Sequence, residues 1–95
     1  MKRSRPAVRF HVNELRDSDA ASAAQVEEAI RAAVAEHWAR GRVECGVFAA
    51  FDRVHVRLDR PGWLSVFSVD ARDLPAAIRE ATVWALSSPR SSPLQ

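Results

Sequence analysis

The sequence predicts a single α+β domain of order β-α-β-β-β-α, a mainly antiparallel four-stranded sheet with two helices on one face. Three observations predict it. Apolar residues alternate at a period of two in four short runs, spanning 8–12, 43–51, 54–58 and 63–69. A spacing of three to four takes over in 22–40 and again in 74–86. The links between the later strands are short and made of turn residues, which joins them as antiparallel neighbours. At 95 residues the chain is one domain long, and it buries roughly 60–65% of its unfolded surface, enough for one modest core.

The first run, AVRFHVNEL, sets Val8, Phe10 and Val12 on one face and Arg9, His11 and Asn13 on the other, the pattern of a half-buried strand. A polar stretch, RDSDAAS, offers helix caps. Ser22 with Gln25 matches a capping box, and Ser18 or Asp19 would start the helix earlier. The helix reaches Arg40, with Val26, Ala29, Ile30, Ala33 and Val34 on one face, i,i+4 pairs Glu27–Arg31 and Glu36–Arg40, and Gly41 as its stop.

RVECGVFAAF, RVHVRL and WLSVFSV follow as three strands, broken near Asp52 and at the turn DRPG (59–62). The last element, VDARDLPAAIREATVWALSS, has Asp70 or Asp73 as cap and Pro75 in its first turn. Its buried stripe is predicted as Leu74, Ala77, Ile78, Ala81, Trp84 and Ala85. Domain organisation is then a flexible basic arm (1–6), an α+β body (7–87) and a disordered Ser/Pro tail (88–95).

Charge narrows the function classes. Lys2, Arg3, Arg5 and Arg9 precede any acid, so the excess lies at the start; the rest of the chain holds ten bases against twelve acids. A near-neutral body argues against a broad nucleic-acid surface. Thirteen Arg against one Lys, with abundant Ala, fits the coding bias of a GC-rich genome and a small bacterial protein. The single cysteine, Cys45, excludes an internal disulfide and a Cys-based zinc site and fits a reducing cytoplasm. No run is long enough to span a membrane, and the basic start lacks the apolar stretch of a secretory signal.

No phosphate loop, nucleophile elbow or HExxH motif is present, and no cofactor, metal or catalytic residue is expected. His11 and His55 would approach each other if their strands were neighbours, and with Asp59 or Asp52 would make a metal or general-base site; the plainer expectation is two exposed histidines. His37 falls within the first helix's apolar stripe, next to Trp38, as a buried histidine bonded to a backbone carbonyl or a pH-sensitive group. Cys45 lies in the inward row with Val43, Val47, Ala49 and Phe51, where a thiol acts as a small hydrophobe.

Two binding readings remain. Arg9, His11, Arg53, His55 and Arg57 share the outward rows of two strands, an arrangement able to bind RNA with help from the basic arm. Against it, the only aromatic candidates for such a platform are Phe48, Trp63 and Phe67. The second reading is a protein partner, a second copy included. WLSVFSV is apolar on both faces, with Trp63, Phe67 and Val69 on one and Leu64 and Val66 on the other. Val83 and Leu86 fall outside the second helix's stripe, and Ala32, Ala35 and Ala39 form a row that permits close helix approach. The expected function is a non-enzymatic protein–protein interaction module, cytoplasmic, acting as a regulator, inhibitor or assembly subunit. Its contact residues would be Trp63, Phe67, Val83, Leu86 and Phe48, and an RNA- or ribosome-associated protein is the alternative.

The order β-α-β-β-β-α resembles that of ribosome hibernation factors, and VDARDLPAAIREA is similar to the strand-to-helix passage that ends their domain. The resemblance implies the same α+β architecture and a ribosomal partner. Those factors carry helices rich in Lys and Arg, whereas the second helix here offers Arg79 beside Glu80.

Overall fold

A computed structural model describes residues 7–37 and 41–87; the basic arm (1–6), Trp38, Ala39 and Arg40, and the Ser/Pro tail (88–95) lie outside the described residues. The chain runs through β1 (Ala7–Asn13), a single-turn α1 (Leu15–Ser18), α2 (Ala20–His37), β2 (Arg42–Ala50), β3 (Arg53–Arg60) and β4 (Trp63–Asp70). It closes with a 3-10 turn (Ala71–Asp73) and α3 (Ala76–Ser87). The order β-α-β-β-β-α stands, with α1 as an addition.

Among the described residues the sheet has four strands in the order β1-β2-β3-β4. β1 and β2 are parallel; the other two pairings are antiparallel. The parallel pair follows from α2, since a helix packed across the sheet brings the chain back to start β2 beside β1 in the same direction. β2, β3 and β4 form a meander.

α2 and α3 pack against each other, α2 beside β1 and α3 beside β4. Between helices and sheet lies the core: Val26, Ile30, Ala33 and Val34 of α2, Val43, Cys45 and Val47 of β2, Val54, Val56 and Leu58 of β3, and Ile78 and Ala85 of α3. Asp19, not Ser22, caps α2: its carboxylate accepts the Ser22 backbone N–H at 3.2 Å and the Ser22 hydroxyl at 2.8 Å.

Three expectations about side-chain direction are corrected. β1 is irregular between Phe10 and Val12, so that Phe10 pairs with Cys45 but Val12 pairs with Gly46. This bulge at His11 reverses the alternation after it. Val12 emerges on the solvent side and Asn13 turns into the core. In α3 the buried residues are Ile78, Thr82, Ala85 and Leu86, while Trp84 is 69% exposed. Thr82 can take a core position because its hydroxyl donates to the Ile78 carbonyl at 2.7 Å. Burying it rotates Leu86 inward and Trp84 out. Third, His37 is exposed, with its Nε2 3.6 Å from Glu36 Oε1. The buried residues of α2 end at Val34, one turn before the last described residue.

Capping before α3 also differs in detail. Asp70 caps the 3-10 turn, accepting the Arg72 N–H at 2.9 Å, and α3 starts only after the cis Leu74–Pro75 peptide.

Candidate functional site

One face of the sheet carries both helices, and the other is open. Pairing fixes how the open face is laid out, because partners across a ladder point the same way. One row reads Arg9, Glu44, Asp59, Leu64; the next reads Val12, Gly46, Arg57, Val66. Phe48, His55 and Ser68 form a third, and Ala50, Arg53 and Asp70 a fourth.

All five residues of the basic set, Arg9, His11, Arg53, His55 and Arg57, thus belong to this side, but β2 separates β1 from β3. His11 and His55 are not on neighbouring strands, so no paired-histidine site forms. His11 instead places Nε2 3.1 Å from Glu44 Oε1. Arg53 donates to the Ser68 hydroxyl and carbonyl, both at 3.2 Å. Glu44, Asp59 and Asp70 are interleaved with the bases, which leaves the face mixed in sign. Among the described residues Arg57 makes no hydrogen bond or ion pair, and no group of three His, Cys, Asp or Glu side chains is placed to hold a metal.

The centre of the face is a depression of about 260 Å³ over Gly46, bordered by His11, Val12, Glu44, Phe48, Arg57 and Asp59. Gly46 is what lets the Phe48 ring lie back on the sheet. A Cβ there would meet Cε2 of Phe48 at 2.9 Å and Cζ at 3.0 Å. Phe48 is therefore half-buried, a flat apolar surface and not a protruding anchor.

Apolar exposure on β4 is the reverse of the sequence-based expectation. Trp63 and Phe67 lie on the helix side, both half-buried. Trp63 sits under the Arg60 guanidinium, 5.5 Å from its ring centroid, and Phe67 packs on the core. Leu64 and Val66 are the exposed pair, at 40% and 64%. Val83 is half-buried against the core and Leu86 is buried, so neither is a free contact residue. Sequence reasoning saw that β4 is apolar on both faces but took the Trp63 and Phe67 row, which lies on the helix side, as the exposed one. Which face is covered depends on where α3 lands, and that is not a local property. The inward row expected for β2 ends at Val47: Ala49 is exposed, and Phe51, expected to point inward, occupies the β2–β3 turn with φ of 52° and is fully exposed.

On the helix side, Ala29, Ala32, Pro75, Ala76 and Arg79 line an open groove of about 710 Å³ between α2 and α3. The alanine row of α2 in part faces this groove through Ala32, while Ala35 is exposed. Arg79 bridges the two helices, donating to both carboxylate oxygens of Glu36 at 2.9 Å. The partner first expected for Glu36, Arg40, is outside the described residues.

Cys45 is closed to chemistry. Burial pushes its thiol up to about 12, with the Glu27 carboxylate adding to the effect. A thiol held neutral in the core is no nucleophile at physiological pH. No helix among the described residues is long and apolar enough to cross a membrane. Comparison with known proteins finds no matching family model, no matching curated protein and no matching solved structure.

Proposed function

We propose that this domain is a non-enzymatic protein-interaction module of the cytoplasm, docking a protein partner on the open face of its sheet at the β4 side. The observation that carries the reading is the adjacent exposed pair Leu64 and Val66, which occupy a strand whose opposite side already serves the core. Val12 and the Phe48 ring continue apolar surface across the same face, and Glu44, Asp59 and Arg57 supply polar contacts between them. A module with this surface acts by occupying a partner, as a regulator, inhibitor or assembly subunit does.

Capture from a host lysate on the immobilised full chain tests this. Protein capture is expected to be lost with Leu64→Asp or Val66→Asp and kept with Arg57→Gln. Loss with Arg57→Gln alone overturns the reading.

A second reading, an RNA- or ribosome-associated module, is favoured by one observation: Arg57 stands unpaired among the described residues, on the strand and face of His55 and beside the Phe48-covered depression. It predicts nucleic acid in the captured fraction, released steeply by salt and by Arg53→Gln with Arg57→Gln.

A further inference from the structure

The two edges of the sheet are built differently. β1 carries Arg9 and His11, is broken by the bulge at His11, and runs only seven residues. Charges and bulges are the usual means of closing an edge to further pairing. β4 has no bulge, and its one charge is Asp70 at its very end. Its pairing with β3 is unbroken over eight residues, and from Trp63 to Val69 it contains no charge and no proline. Among the described residues it has no strand on its outer side.

Apolar surface borders this edge on the open face, where Leu64 and Val66, two of the five exposed large hydrophobics among the described residues, both lie on β4.

From this we infer that β4 pairs antiparallel with β4 of a second copy of this chain, forming a continuous eight-stranded sheet. The inference rests on the protein-interaction reading above and names the first partner as the chain itself. Self-pairing suits this strand because uncharged residues meet uncharged residues, with no like-charge contact at the seam. Asp70, at its end, is held by its own Arg72 at 2.8 Å. A two-fold axis normal to the sheet keeps all helices on one side and matches open-face residues with open-face residues. Centred on Val66, it sets Val66 against its own copy, Leu64 against Ser68 and Trp63 against Val69.

Sedimentation of the full chain from about 1 to 200 μM tests it, a range that brackets a micromolar dissociation constant. The 10.6 kDa protomer is expected to shift to a dimer of twice that mass as concentration rises. Val66→Lys is expected to weaken association tenfold or more, while Ala7→Lys, exposed on the closed edge, leaves it within about twofold. If Val66→Lys does not fold, amide exchange on the wild-type chain decides: the β4 amides slow with concentration and the β1 amides do not. A wild-type chain that stays monomeric throughout, or equal loss with both variants, overturns the inference. A monomer that still captures a protein sensitive to Leu64→Asp overturns self-pairing alone and leaves the proposed function standing.

Discussion

Asn13 does the work of several residues at the junction of β1, α1 and α2. Its side-chain amide donates to Glu27 at 2.9 Å and to the Ala23 carbonyl at 3.4 Å, and its oxygen accepts the Leu15 N–H at 3.1 Å. Burial raises the Glu27 pKa, but hydrogen bonds from Asn13 and Arg16 and the Arg16 and Arg31 charges outweigh it and hold the carboxyl below its ordinary value. Asn13→Ala takes one hydrogen bond from the Glu27 carboxylate, which keeps Arg16, and leaves the buried Leu15 N–H without its acceptor; it is expected to cost about 1–3 kcal/mol in urea unfolding. Phe51 illustrates the opposite case, a residue working against its backbone. A left-handed φ costs a non-glycine residue about 1–2 kcal/mol, so Phe51→Gly is expected to raise the unfolding free energy by up to about 1 kcal/mol after the glycine's extra unfolded-state entropy, read as a higher urea midpoint. Cys45 gives a third test. Its thiol should resist a soluble disulfide reagent at pH 8 until the chain unfolds. The pH dependence follows from the shift: the unfolded thiol ionises above its ordinary value of 9.0 while the folded one waits until about 12. Stability therefore falls as pH rises from 9 to 12.

Among the elements, the passage from β4 to α3 is set by Asp70 and Arg72. The Arg72 side chain, then its backbone N–H, hold the Asp70 carboxyl down at about 2. A folded pKa below the unfolded one means the contribution is present above pH 4 and disappears as pH falls towards 2. Asp70→Asn should lose stability at neutral pH and show a shallower acid limb, read from thermal midpoints between pH 2 and 6. The elements were legible in the sequence because their periods differ, two for strands and three to four for helices. The phase within them was less so. The bulge at His11 belongs to a parallel pairing with a strand some thirty residues away, and no local pattern announces it. In α3 the misleading residue is Thr82, which reads as polar until its hydroxyl is seen to bond within the helix. The basic row of β3 was correctly placed on the open face, but its neighbours on β2, Ala50, Phe48 and Gly46, depended on strand order.

At the scale of the whole molecule, the sheet separates two kinds of apolar residue that look alike in the sequence. Ile30 is fully buried between helix and sheet, and Ile30→Ala is expected to cost about 2–5 kcal/mol. Val66 has the same branched character but little burial to lose. Val66→Thr should leave the monomer's stability within about 0.5 kcal/mol in dilute solution while lowering association. Comparing both variants by denaturant unfolding and sedimentation separates folding from binding. The bulge at His11 then has a consequence for assembly. A sheet with two receptive edges has a valence of two and grows into a fibre. Among the described residues β1 is closed by its bulge and its charges, so the proposed pairing through β4 would give the molecule a valence of one, with β1 as both outer strands, and growth would end at two copies.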